Sequence, residues 1–257
     1  MSNENTSIHD FDINLICEYY AGVERQGPGS PDVTLKALSF IDKPGADTHI
    51  LDLGCGSGSQ SMVLAQHTPA QITGIDLFPG FIEQYNRRAA DQQCSERVKG
   101  ITGSMFDIPY PPESIDVIWS EGAIYNIGFQ RGLQEWHSYL KPGGYVAVTE
   151  ASWFTAEQPA EIHDFWMQAY PEIDTIPRKV AQLQEAGYVP VAAFILPEEC
   201  WTDWFYKPQA AAQELFLKKY PGDKTAEALI ANERHEEQLY HRYKAYYGYV
   251  FYIGRKI

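Results

Sequence analysis

The stretch ILDLGCGSGSQ, residues 50–60, limits what this chain can fold into more than any other. The apolar run HILDL (49–53) leads straight into Gly54, Gly56 and Gly58, and SQSMVLAQ continues from them with helix-forming residues. A short apolar run bounded by turn residues predicts a buried strand. A strand that turns directly into a helix brings unpaired N–H groups and the positive end of a helix dipole to the carboxyl edge of a sheet. Glycine permits the tight turn and lets a ligand touch the backbone. The loop therefore predicts a ligand with an anionic part lying over Gly54, Gly56 and Gly58. The dinucleotide fingerprint G-x-G-x-x-G is not met, because Ser59 stands where it requires Gly. A P-loop needs Gly-Lys-Ser/Thr, and this loop has no Lys.

Strands and helices alternate from there. QITGID (71–76) predicts a second strand, and PGFIEQYNRRAADQQ a helix with Phe81, Ile82, Tyr85 and Ala89 on one face. RVKGITG and SIDVIWS (114–120) predict the third and fourth strands. Residues 128–140 place Phe129, Leu133, Trp136 and Leu140 at helical spacing, KPGG predicts a turn, and YVAVTE (145–150) a fifth strand. This alternation predicts a parallel, doubly wound α/β sheet. Ahead of the loop, residues 11–21 read as a helix, and Ser30 as the N-cap of another, with Pro31 at N1 and Val33 to Ile41 following. Between them, ERQGPGS (24–30) reads either as a lid hinged at its glycines or as an inter-helix turn. Beyond residue 150, helices are expected at 157–170 and in PRKVAQLQEAG, a strand in YVPVAAFIL, two or three helices over 198–246, and a last strand in GYVFYIGRK. No linker divides the chain, so 1–257 reads as one domain.

Composition excludes several classes. The net charge of −14 comes with no basic block, which disfavours nucleic acid and anionic membranes as partners. Cys17, Cys55, Cys94 and Cys200 are scattered without C-x-x-C, so neither a disulfide framework nor a zinc site is expected. The start, MSNENTSIHDFD, lacks the basic and apolar regions of a signal peptide, and no run is long enough to span a membrane. A cytoplasmic protein is expected. The histidines show no metal-binding pattern, so no metal is expected.

D-L-G-C-G-S-G resembles the first motif of the class I S-adenosylmethionine-dependent methyltransferases. GIDLFPGFI, GSMFDIPYPPESIDVIWS and LKPGGYVAVTE resemble, in order, the later motifs of that family, and the likeness covers roughly residues 45–155. It looks most like the bacterial small-molecule enzymes. The resemblance implies a Rossmann-like seven-stranded sheet of order 3-2-1-4-5-7-6 with the last strand antiparallel, and S-adenosylmethionine as cofactor, leaving as S-adenosylhomocysteine. It implies a core at 45–155, an N-terminal helical lid at 1–44, and a helical insertion at 197–247. The lid, the stretch 151–176 and the insertion are expected to cover a small-molecule acceptor. Methyl transfer to O, N or C is the implied activity. A non-catalytic or regulatory S-adenosylmethionine-binding protein is the alternative, and a nicotinamide dehydrogenase a more distant one.

The resemblance also implies roles for single residues. Asp76 would accept both ribose hydroxyls in charge-assisted bonds. Ser104 stands where many relatives have Asp, so adenine recognition would lean on the Met105 backbone and on the faces of Leu77 and Met105. Asp52 reads either as a partner of the methionine amino group or as a cap on the neighbouring helix. Ser120 and Glu121, just past the fourth strand, would lie near the methionine end, with a solvated loop carboxylate as the other reading of Glu121. Cys55 reads as a small filler rather than a nucleophile. Tyr19 and Tyr20 precede the core as a lid would, and Tyr125 and Trp153 follow strands whose carboxyl ends line the crevice, so these four are expected at the substrate pocket. No residue identifies itself as catalytic.

Overall fold

A computed structural model describes residues 11–257. The first ten residues of the expected N-terminal lid and the signal-peptide reading lie outside the described residues. The chain runs α1 (Ile13–Tyr20), α2 (Pro31–Leu38), β1 (His49–Leu53), α3 (Ser59–His67), β2 (Gln71–Asp76), α4 (Pro79–Asp91), β3 (Val98–Thr102) and β4 (Ile115–Ser120). A single 3-10 turn (Ile124–Asn126) leads to α5 (Phe129–His137), β5 (Leu140–Trp153), α6 (Ala160–Ala169), β6 (Asp174–Thr175), α7 (Ile176–Glu185) and β7 (Tyr188–Ile195). The last part holds α8 (Glu199–Trp201), a π-helical turn (Thr202–Tyr206), α9 (Lys207–Lys219), α10 (Lys224–Tyr243) and β8 (Tyr247–Lys256).

One sheet runs β3-β2-β1-β4-β5-β8-β7, with the two-residue β6 pairing β5 off this path. The expected order is present once that short strand is set aside, giving eight strands rather than seven. β8 is antiparallel to both β5 and β7, while β1 to β5 pair in parallel. The KPGG segment differs from expectation. α5 ends at His137, and residues 141–144 fall within β5, where the partner register jumps from Ile115↔Leu140 to Val117↔Tyr145. The turn is absorbed as a bulge, with Gly143 in the left-handed region at φ +80°.

Strand residues alternate between two cores. Ile50, Val117 and Trp119 point to one face, under α2, α3 and α4; Leu51, Ile118 and Val148 point to the other, under α5 and α7. Each fully buried aliphatic side chain contributes about 1.5–3 kcal/mol, so both faces hold their helices firmly. A third cluster seats α1 on α9 and α10 through Tyr19, Val23, Phe216 and Leu229. The strand order reverses between β1 and β4, and their carboxyl ends open a crevice there.

Candidate active site

A cavity of about 510 Å³ fills that crevice, within the size range of small-molecule sites. Gly54 and Cys55 form its floor, and Gly54 is glycine for two reasons. Its φ is +70°, and a Cβ there would lie 2.3 Å from the Cβ of Ala123. The ends of β1 and β4 therefore approach more closely than any side chain allows. Gly58 sits outside the cavity lining. It N-caps α3 at φ +89°, and a Cβ there would meet the Tyr85 ring at 2.5 Å, so it serves the turn and the packing beneath.

The loop does not offer the free N–H groups expected of it. Gly54 and Cys55 both donate to the Ile75 carbonyl (2.8 and 3.1 Å), and Gly58 to the Cys55 carbonyl (3.0 Å). Gly56 donates to Oδ2 of Asp76 (2.9 Å), and Ser57 to Oε1 of Gln26 (3.0 Å). The reason lies in the 24–30 segment. Gln26 also donates to the Tyr20 and Val23 carbonyls, and the Glu24 carbonyl accepts from the hydroxyls of Ser57 and Ser59. The segment is thus laid on the glycine loop and takes up its donors.

At one end of the cavity, Asp76 closes β2. Its Oδ1 accepts from the Phe78 backbone at 3.1 Å, and each carboxylate oxygen keeps lone-pair capacity for a further donor. Burial pushes its carboxyl up, against the three backbone N–H bonds that pull it down. Leu77 and Met105 line the same end, and Met105 is placed by its carbonyl, which accepts from Nε1 of Trp136 at 3.1 Å. Ser104 also lines it, and its Oγ accepts from the Phe106 backbone at 3.2 Å. At the other end Glu121 accepts from Arg25 (2.7 Å), Thr34 (2.6 Å) and Trp119 (2.9 Å). Arg25 lines the cavity beside it, and its buried Nε has no hydrogen-bond partner among the described residues. Tyr20 and Tyr125 supply aromatic wall.

Four expected residues lie elsewhere, besides Gly58. Tyr19 is 1% exposed; its hydroxyl donates to Gln209 and its ring packs on Phe216. Trp153 is buried in the core against Tyr247, because its side chain leaves β5 toward the face under the helical insertion. Neither borders the cavity, which corrects the expectation for both. Asp52 is fully buried and accepts from the side chains Ser61 Oγ (2.6 Å) and Gln60 Nε2 (3.2 Å) of α3; it does not cap that helix, whose N-cap is Gly58. Ser120 is buried too, donating to the Leu53 carbonyl (2.8 Å). Glu121 is no solvated carboxylate but a buried one. The missed residues, Arg25 and Gln26, carried only one signal, their place in the Gly-rich 24–30 segment. Cys55 borders the cavity, but burial pushes its thiol up, which removes the thiolate a nucleophile needs.

A methyltransferase-domain family model matches residues 50–144. The uncharacterized protein YjhP of Escherichia coli is 31% identical over 183 residues, covering 70% of this chain and 72% of that protein. Its crystal structure superposes with a TM-score of 0.82 at 25% identity, covering 95% of this chain and all of that one. A methyltransferase from Geobacter sulfurreducens, solved with S-adenosylhomocysteine, superposes with a TM-score of 0.81 at 22% identity, covering 96% of this chain and 99% of that one. The chain belongs to the class I S-adenosylmethionine-dependent methyltransferases. The demethylmenaquinone methyltransferase of Symbiobacterium thermophilum is 33% identical over 107 residues, which is 40% of this chain and 43% of that protein. The chain thus aligns with less than half of the length of that curated relative.

The residues of this methyltransferase fit the family's cofactor. One end of the cavity holds a carboxylate with open lone pairs beside apolar faces, as a ribose diol and a flat base require. The other end holds a buried guanidinium N–H without a partner, as an amino-acid carboxylate requires.

Proposed function

We propose that this methyltransferase moves a methyl group from S-adenosylmethionine to a small-molecule acceptor. One observation carries the reading. A single cavity joins Asp76 at the end of β2, the glycine floor, and Arg25 and Glu121 at the end of β4, and continues to the rings of Tyr20 and Tyr125. When bound, the cofactor supplies a sulfonium-held methyl whose C–S bond breaks as the acceptor's bond to carbon forms, leaving a neutral thioether.

The chain's own residues bind, orient and exclude water. Asp76 takes the ribose hydroxyls. Leu77 and Met105 flank the base, with Ser104 Oγ accepting one hydrogen bond. Arg25 meets the carboxylate of the amino-acid end, a role its Glu121 partner leaves open at Nε. Gly54 and Gly56 line the cavity, their missing side chains making room for Ala123 and Gln26. Tyr20 and Tyr125 bound the acceptor side, and α1, α2 and the 24–30 segment act as its cover. Asp52 and Ser120 hold the strand ends in place from beneath. Alignment of two reactants in a closed site contributes up to about 7–11 kcal/mol, so no dedicated nucleophile is required. The small-molecule acceptor is supported by relatives named for demethylmenaquinone and for 27-O-demethylrifamycin SV.

Calorimetric titration tests the reading. S-adenosylhomocysteine is expected to bind in the micromolar range and NAD not at all. Binding of NAD without S-adenosylhomocysteine overturns it. Methyl transfer from labelled S-adenosylmethionine into a metabolite extract then separates an enzyme from a mere binder.

A further inference from the structure

Beyond the cofactor crevice, α10 buries two carboxylates one helical turn apart. Glu233 is 4% exposed, and Glu236 is partly buried. Tyr20 donates to Oε2 of Glu233 at 2.7 Å, and Tyr206 to Oε1 of Glu236 at 3.5 Å. Oε1 of Glu233 has no hydrogen-bond partner among the described residues. No salt bridge among the described residues reaches either carboxylate. Arg234, next in sequence, is exposed and bonds Gln213 at 2.8 Å; His241 lies 3.8 Å from Glu237 instead. Burying an unpaired carboxylate is expensive, and burying two side by side is more so.

The Tyr206 ring that reaches Glu236 belongs to an aromatic cluster. Trp201 packs 4.4 Å from Tyr240, 5.0 Å from Tyr249 and 6.1 Å from Tyr206, measured between ring centroids. Burial pushes the phenols of Tyr20, Tyr125, Tyr206, Tyr247 and Tyr249 up, and the Glu236 carboxylate adds to this at every one of them. Of these phenols, Tyr206 from the π-helical turn meets Glu236 directly, and Tyr20 from α1 meets Glu233. Burial likewise pushes both carboxyls up. The π-helical turn that delivers Phe205 and Tyr206 is itself a rare local geometry that recurs at functional sites. This group adjoins the cavity. Tyr20 belongs to both, and Tyr249 lies 3.6 Å from where a Cβ on Gly122, a cavity residue, would be.

Two carboxyls that burial and mutual repulsion hold toward the neutral form have one natural complement, a positively charged nitrogen, whose approach would restore their charge. It would form a charge-assisted contact with the open Glu233 oxygen and rest against ring faces. We propose that Glu233 and Glu236, with Tyr20, Tyr206 and Tyr249, form the subsite that binds an ammonium group carried by the acceptor. The acceptor is thus a cationic amine or a quaternary ammonium compound. The subsite rests on the reading of the adjoining cavity as the methyl-transfer site.

Choline and ethylammonium, each titrated against a neutral counterpart (3,3-dimethylbutan-1-ol and ethanol), test this in the wild-type protein. Tryptophan fluorescence and melting temperature are read with and without saturating S-adenosylhomocysteine. At least one cation is expected to bind at least tenfold more tightly than its neutral counterpart. Glu233→Gln and Glu236→Gln should each weaken that cation at least tenfold while leaving S-adenosylhomocysteine affinity within threefold. Equal binding of the neutral compounds, no binding of either cation, or unchanged cation affinity in both folded variants overturns the subsite. The comparison in the wild type decides the matter even where a variant does not fold. Failure of S-adenosylhomocysteine to bind would instead overturn the cofactor reading, and the cation titration on the free protein still answers for the subsite.

Discussion

Nη2 of Arg25 lies 2.7 Å from Oε2 of Glu121, and the two side chains are only 6% and 2% exposed. The pair ties the segment after α1 to the end of β4, across the mouth of the crevice. Breaking one partner of a buried pair leaves an uncompensated charge and costs about 3–5 kcal/mol. Glu121→Ala is therefore expected to lower unfolding free energy by that amount in urea titration, because Thr34 and Trp119 lose their acceptor as well. The double replacement Arg25→Met/Glu121→Leu should recover most of the stability but not cofactor affinity, since the guanidinium is gone. A stability change below about 1 kcal/mol for Glu121→Ala would place the pair among exposed, weakly coupled charges.

Asp76→Ala removes two proposed charge-assisted bonds to ribose, each contributing about 1.5–3 kcal/mol. S-adenosylhomocysteine affinity should fall on the order of 100-fold or more by calorimetry. Some stability goes with it, since Gly56 and Phe78 lose their acceptor. Affinity within about threefold of wild type would mean the ribose is held elsewhere.

Tyr125 and Trp153 separate wall from core. Tyr125→Ala is expected to spare S-adenosylhomocysteine affinity yet slow methyl transfer into a metabolite extract at least tenfold, about 1.4 kcal/mol of transition-state stabilisation. Trp153→Ala should destabilise the fold by about 3–5 kcal/mol, as loss of a buried indole does. The milder Trp153→Phe should keep transfer within about twofold, since its ring never meets the ligand. The reverse pattern would move the acceptor toward the helical insertion's core.

Asp52 supplies a pH test. Burial pushes its carboxyl from 3.8 up to about 7, with the charges of Glu121 and Asp76 acting in the same direction and the bonds from Ser61 and Gln60 opposing. Between those values the folded state holds more protons than the unfolded one. This contribution to stability is full below pH about 4 and is lost as pH rises through about 7. Asp52→Asn removes the titration while Asn still accepts from Ser61. Its unfolding free energy should vary less between pH 5 and 7 than that of wild type, by up to about 1.4 kcal/mol per unit. Identical pH profiles would show that Asp52 stays ionised in the fold.

The alternation of strands and helices, the glycine loop and Asp76 at the end of β2 were legible in the chain itself, because each rests on local chemistry: apolar period, turn residues, a carboxylate just past a strand; the strand order came only with the family resemblance. Gly54 and Gly58 announced a backbone that side chains cannot follow. What packs into that space, Ala123 and Tyr85, was set by folding. Tyr20 and Tyr125 border the cavity and Tyr19 and Trp153 do not, because neighbouring positions on a helix or strand diverge to different faces, and only packing says which face is open. Arg25 and Glu121 stand 96 residues apart, and Tyr20 and Glu233 stand 213 apart. No spacing rule links such residues. Their meeting depends on how α1 and α10 settle over the sheet, and burial then turns ordinary surface residue types into a buried ion pair and a buried tyrosine–carboxyl contact.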